Sequence, residues 1–135
     1  MSRVRDNIEV CDLALVGIGN LGLAFMNYFE NSESRFKVKA LFDIDTSKTG
    51  KKYSNVQSYN ITDLNSVIKE MKINQGIIAS SADDAQSVAN LLVAAGVKGI
   101  LNFSGESVTV PDHVYLKEYN LESWLEEISY FIKFV

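Results

Sequence analysis

Leu13-Ala14-Leu15-Val16-Gly17-Ile18-Gly19-Asn20-Leu21-Gly22 is the stretch from which the fold follows. Its first four residues are a continuous apolar run that stops at a glycine, as a strand buried on both faces does. Beyond it, Leu21, Ala24, Phe25, Tyr28 and Phe29 recur at spacings of three and four, which predicts a helix ending near residues 31–34 with these side chains as its apolar stripe. A glycine turn therefore joins a buried strand to a helix. In that context Gly17-x-Gly19-x-x-Gly22 is a much stronger signal than the same spacing elsewhere.

Each glycine answers a separate need. Gly17 permits the tight turn, Gly19 lets backbone come close to a pyrophosphate, and Gly22 lets the helix lie close to the strand. The helix start then favours negative charge. Downstream, Phe36, Val38, Ala40 and Phe42 alternate with Lys37 and Lys39, predicting a second strand that ends in Asp43-Ile44-Asp45. A carboxylate at Asp43, about twenty residues past the glycine loop, suits the ribose hydroxyls of an adenosine and repels a 2'-phosphate, so NAD(H) is expected over NADP.

The remaining pattern extends the same architecture. Residues 46–55, with Gly50, Lys48, Lys51 and Lys52, read as a solvated connection, and Val56 to Tyr59 as a short edge strand. Thr62 is the expected cap of a helix through Leu64, Val67, Ile68 and Met71. Gly76 to Ser80 reads as a buried strand, and Ser81 and Asp84 have capping-box spacing before a helix from Ala85 to Val93 that stops at Gly96. Gly99 to Phe103 and His113 to Leu116 are further strands, the latter following the Pro111-Asp112 turn, and Asn120 caps a last helix. Strands alternating with helices imply an α/β fold: a Rossmann-type, doubly wound, mainly parallel sheet with helices on both faces. The expected division is a polar lead-in at 1–11, a nucleotide-binding domain at 12–120 and a C-terminal helix at 121–135.

Composition bounds the function. The 135 residues fit one domain, 47% hydrophobic and 22% charged, with a single proline. A net charge of -4 lacks the counterion-release affinity that nucleic acid binding draws on, so no direct nucleic acid binding is expected of this chain. Arg3 and Arg5 precede no apolar stretch of signal length, and no membrane association is expected. Cys11 is the one cysteine, so no internal disulfide or zinc site is expected and a cytoplasmic location fits.

The candidate site residues are Gly17, Ile18, Gly19, Asn20, Leu21, Gly22 and Asp43, joined by Ser80, Ser81, Asn102 and Phe103 at the ends of later strands, where the nicotinamide half would lie. No catalytic set emerges. His113 stands at the start of a late strand, away from the ligand edge, Cys11 has no sequence-adjacent cation to activate it, and the serines have no base. In the last helix Leu121, Trp124, Leu125, Ile128, Phe131, Ile132 and Val135 form a broad stripe, widened by Tyr130 and Phe134. It either covers its own sheet or packs across a homodimer, and its aromatic content favours the dimer.

Taken together, Val16 to Gly22, Phe42-Asp43-Ile44-Asp45 with Gly50, Gly99 to Phe103, Val110-Pro111, and a closing helix with Leu121, Ser129, Tyr130 and Phe131 resemble the cofactor domain of the Rex family of redox-sensing repressors. The resemblance implies an NAD(H)-binding sensor that does not turn its cofactor over, with Gly17 to Gly22 as the dinucleotide loop and Asp43 as the ribose contact. Only a short lead precedes the first strand, where family members carry a winged helix, so DNA binding does not carry over. Leu23, Ser80-Ser81 and Ser104-Gly105 also depart from the family, which usually has a basic residue, a proline-containing turn and Ala-Pro there. A minimal NAD-dependent oxidoreductase or the nucleotide-binding half of one, a CoA-binding module and an assembly module without a pocket remain alternatives; against CoA, Asp43 suits a free ribose hydroxyl better than a phosphorylated one.

Overall fold

A computed structural model of the chain describes residues 9–133. Most of the polar lead-in, with Arg3 and Arg5, and the stripe residues Phe134 and Val135 lie outside the described residues. The elements in chain order are β1 (Cys11–Val16), α1 (Asn20–Asn31), β2 (Phe36–Asp43), β3 (Lys52–Tyr53), β4 (Val56–Asn60), α2 (Leu64–Met71), β5 (Gln75–Ile78), α3 (Ala85–Ala94), β6 (Gly99–Asn102), β7 (Tyr115–Glu118) and α4 (Leu121–Lys133). The strands form one seven-stranded sheet in the order β3-β4-β2-β1-β5-β6-β7. Every pairing is parallel except β3 with β4. This is the doubly wound α/β architecture expected, with its switch point between β1 and β5.

The two faces carry separate cores. Ala14, Val16, Ala40, Phe42 and Ile78 pack with α2 (Leu64, Val67, Ile68) and α3 (Val88, Ala89, Leu92) on one face. Leu13, Leu15, Val38, Leu41 and Ile77 pack with Met26, Phe25 and Phe29 of α1 on the other. The rotation of α1 differs from the expected stripe. Gly22 and Met26 are buried and Phe25 and Phe29 half-buried, whereas Leu21, Ala24 and Tyr28 are exposed. The cause is Gly22 itself: an ideal Cβ there would stand 1.9 Å from the Gly17 carbonyl oxygen, so this residue must face the strand and sets the phase of the helix.

Other departures have equally local causes. The register of β2 against β1 shifts between Leu13 and Ala14, leaving Lys39 as an extra, exposed residue. The bulge moves Phe36, Val38 and Leu41 to one face and Ala40 and Phe42 to the other, so the simple alternation does not hold. The expected loop at 46–55 holds a 3-10 turn (Thr46–Lys48) and strand β3. Ser54 and Asn55, both at positive φ (51° and 70°), close a two-residue hairpin onto β4, which is therefore not the edge strand. Asn60, not Thr62, caps the turn before α2, its side chain accepting the Thr62 amide at 2.9 Å. Ser81 makes no side-chain cap bond to the backbone and its hydroxyl donates instead to Asp84. The Pro111–Val114 turn consumes His113, which is exposed, so β7 starts at Tyr115.

No helix lies in the connection between β6 and β7. The α1 side of β5, β6 and β7 is consequently an open apolar groove of about 670 Å³, bounded by Leu13, Phe29, Phe36, Ile77, Leu101 and Tyr115, with Lys98 and Lys117 among its polar lining residues. Nor does α4 cover its own sheet, since none of its residues is buried. Leu121, Leu125, Phe131 and Ile132 each expose 60% or more of their surface. No described helix is long and apolar enough to cross a membrane.

Alanine normally gains about 1 kcal/mol over glycine inside a helix. At Gly22 the clash with Gly17 reverses the sign. Gly22→Ala is expected to lose about 1–3 kcal/mol of stability, the range for overpacking, and urea unfolding followed by circular dichroism reads the loss.

Candidate functional site

The site sits above the carboxyl end of β1, where the backbone is held from both sides. The Gly17 amide donates to the Phe42 carbonyl at 2.8 Å, and the Val16 carbonyl accepts the Ala79 amide at 2.7 Å. Gly17 has φ +114°, and a Cβ there would lie 2.5 Å from the Ala79 carbonyl carbon, so no side chain fits. Gly19 differs: its backbone is extended (φ -102°), and a Cβ would meet nothing within 4 Å. The open space above Gly19 is the approach to the start of α1.

That start is uncapped. Gly19 occupies the cap position with no side-chain hydrogen bond, and the first turn holds no acidic residue. The first helical amides point outward without intrahelical acceptors, at the positive end of the helix dipole. Beside them stands Asp43. One of its oxygens, Oδ2, accepts the Ile18 amide at 2.7 Å, and Oδ1 accepts the Asp45 amide at 2.8 Å. A carboxylate has about four acceptor positions, so Asp43 ties the glycine loop to β2 and keeps capacity for two further donors. An uncapped helix start beside an anchored carboxylate can take an anion at one end and a vicinal diol at the other.

Gly17, Ile18, Gly19, Asp43, Ser80 and Ser81 line one cleft of about 350 Å³, within the roughly 300–1,000 Å³ usual for ligand sites. Asn20, Leu21 and Gly22 form the first turn of α1 next to it. Asn102 and Phe103 lie outside this lining. Asn102 is buried and braces the β6–β7 connection: its amide donates to the Glu106 carbonyl and to Glu118 Oε2, both at 2.8 Å, and its oxygen accepts the Ser104 amide at 3.0 Å. Phe103 packs between rings, 4.8 Å from Phe25 and stacked 4.2 Å from Tyr119, which meets Trp124 at 4.6 Å. The Ser80 hydroxyl is buried without a hydrogen-bond partner among the described residues.

Lys48, read from the sequence as part of a solvated connection, also lines the cleft, and sequence reasoning missed Ile44, Asp45, Asp84 and Val88, which with Val16 and Ala79 complete it. Asp45 begins the 3-10 turn and accepts the Ser47 hydroxyl at 2.7 Å and the Ser47 amide at 3.0 Å. The Ser47 hydroxyl and then its amide hold the Asp45 carboxyl below its ordinary range, with Lys48 and Lys51 adding to the effect. The Asp43-x-Asp45 pattern was the available signal for Asp45. Asp84 was hidden behind its capping role. Cys11 donates to Gln75 Oε1 at 2.5 Å, and burial pushes its thiol up despite the charge of Arg35. Among the described residues no group of three or more metal-ligating side chains gathers.

With this geometry in view, residues 10–105 match the family described as the CoA binding domain. The chain belongs to the CoA-binding domain family. Its similarity to the redox-sensing transcriptional repressor Rex runs over nearly its whole length. The Rex protein of Bacillus subtilis (strain 168) is 38% identical over 131 residues, 97% of this chain and 60% of that protein. Rex of Syntrophobacter fumaroxidans is 40% identical over 124 residues, 91% of this chain and 59% of that protein. A crystal structure of RSP, a Rex-family repressor, superposes with a TM-score of 0.85 at 33% identity, covering 97% of this chain and 63% of that one. RSP in complex with beta-NAD+ and operator DNA gives 0.87 at the same identity, covering 97% of this chain and 60% of that one. The chain thus spans about 60% of the length of the curated Rex relatives named here.

Two outcomes follow from these contacts. Asn102→Ala removes the donor to Glu118 and is expected to cost about 1–3 kcal/mol, the range for stranding a buried partner, measured by urea unfolding. The Asp45 pKa is lowered on folding, so its stabilising contribution is present above the unfolded value and is lost as pH falls through the folded one. The protection of the Ser47 amide, judged from its exchange rate relative to the intrinsic rate at the same pH, should therefore fall under strongly acidic conditions, and Asp45→Asn should flatten that fall in a hydrogen-exchange titration.

Proposed function

We propose that this chain binds NAD(H) and reports the bound cofactor through a homodimer, without turning it over. One observation carries the reading: the uncapped start of α1 opens at Gly19 directly beside the anchored carboxylate of Asp43. On this reading the pyrophosphate lies on the amides of the first turn, with Gly19 allowing its approach, and Asp43 accepts the adenosine ribose hydroxyls. Ser80 and Ser81 border the rest of the dinucleotide. The crystal structures of RSP in complex with beta-NADH and with beta-NAD+ and operator DNA support the cofactor class. No DNA contact is proposed for these residues, and a cytoplasmic location fits relatives that are transcriptional repressors.

The dimer rests on α4. An isolated helix shorter than about 12–15 residues is marginal in water, and this one spans 13 residues with its apolar stripe exposed. The open groove over β5–β7, with Lys98 and Lys117 among its lining residues, offers a seat for α4 of a second copy, which carries Glu122, Glu126 and Glu127. Residues 12–120 are then the ligand-binding body and 121–135 the association element.

A second reading, CoA as the ligand, is favoured by the description of the matching family. Calorimetry with NADH, NAD and CoA separates the two. We expect NADH and NAD to bind and CoA to bind at least about tenfold more weakly, a gap of about 1.4 kcal/mol; tight CoA binding with no NADH binding would reverse the assignment. Gly19→Ala is the clean probe, because its Cβ meets no protein atom. Its stability should stay within about 0.5 kcal/mol of the parent, while NADH affinity falls at least about tenfold. Substrate-dependent NADH oxidation would count against sensing. Leu125→Glu with Ile128→Glu should turn a dimer into a monomer in sedimentation velocity.

A further inference from the structure

The sheet order sets two walls on the cleft. Residues that follow β2 stand on one side of β1, and residues that follow β5 stand on the other. The first wall supplies Asp43, Asp45 and Lys48, the second Ser81 and Asp84. Three acidic residues therefore line the cleft against one lysine among the described residues. They are spread around it rather than gathered, since no group of three metal-ligating side chains forms among the described residues.

Asp84 is held in place. It is half-buried, and its Oδ2 accepts the Ser81 hydroxyl at 3.0 Å, which fixes the carboxylate at the start of the turn into α3. The lone cleft lysine does not offset it. Lys48 lies on the opposite wall, where its charge acts on Asp45, and its carbonyl is fixed by the Tyr53 hydroxyl at 2.8 Å. An adenosine anchored by its ribose on Asp43 would thus have a second carboxylate across the cleft with no cation of its own among the described residues. A hydroxyl at the ribose 2' or 3' position tolerates that arrangement, whereas a phosphate there would bring a dianion between two negative walls.

Resting on the NAD(H) reading, we infer that Asp84 is a specificity-determining residue that excludes adenosine ligands carrying a phosphate on the ribose, so that this member of a CoA-binding family rejects both NADP(H) and CoA. The Ser81 hydroxyl is its positioning partner. Asp43 recognises the hydroxyls and itself disfavours a phosphate there, and Asp84 adds a second negative charge against it.

Two ligand pairs isolate the effect, because NADPH differs from NADH, and CoA from dephospho-CoA, by one ribose phosphate. Calorimetry at low salt on the parent chain should give each unphosphorylated ligand at least about tenfold tighter binding than its partner. In Asp84→Asn, which keeps the shape and a hydrogen-bonding oxygen, both gaps should shrink by about three- to tenfold. In about 1 M salt, where the screening length is about 3 Å, the parent gaps should narrow and the variant gaps change little. Gaps unmoved in Asp84→Asn while NADH binds normally would overturn this inference alone. Loss of NADH binding in the variant would also overturn it, by making Asp84 a contact rather than a barrier. If the parent binds neither NADH nor dephospho-CoA, the NAD(H) reading falls and takes this inference with it.

Discussion

The contact between Gly22 and the carbonyl of Gly17 is the constraint on which the remaining geometry depends. A helix can start this close to the strand it leaves only if the residue one turn in has no side chain. That closeness fixes the rotation of α1, buries Met26 with Phe25 and Phe29 half-covered beside it, and leaves the first-turn amides turned toward the strand ends. It also presses the loop against β2, where the Ile18 amide finds the Asp43 carboxylate. A charge-assisted bond of this kind is stronger than a neutral one, so the loop is shaped before any ligand arrives. Site and fold therefore share one set of contacts.

How much of this was readable in the sequence depended on how local each determinant was. The β1–glycine–α1 unit, the strands at Gly76 and Gly99, the helix after Asp84 and the Asn120 cap, which accepts the Ser123 amide at 2.9 Å, rest on neighbours in the chain and were readable. The phase of α1 was not, because apolar spacing alone admits Leu21 and Tyr28, and only the Gly17–Gly22 approach excludes them. Nor was the Lys39 bulge, which exists because β2 must match β1 in register. The β3 hairpin was hidden for a different reason. Ser54 and Asn55 lack the glycine that usually marks such a turn, and the lysines around them looked like solvated loop.

The candidate site divides in the same way. Gly17 to Gly19 and Asp43 follow from a motif whose spacing encodes its geometry, and they do line one cleft with Ser80 and Ser81. Asp84 and Lys48 enter that cleft through turns whose position depends on the sheet order, and no spacing rule points to them. Asn102 sits at a strand end, where ligand contacts are expected, yet its polar atoms are bonded to the β6–β7 connection and Glu118. That connection has no helix, and Asn102, Glu118 and the Gln86 side chain, which accepts the Thr109 amide at 2.8 Å, brace it instead.

The two margins of the sheet are unequal. At one end β3 is only two residues long and folded back as a hairpin, a blunted border with little backbone to offer a neighbour. At the other, β7 pairs among the described residues with β6 alone and shows Tyr115, 72% exposed. Growth of a stacked or fibrous array needs two sticky borders, one to give and one to receive. A molecule with a single open sheet border has no second one along which edge-to-edge strand pairing could be handed on.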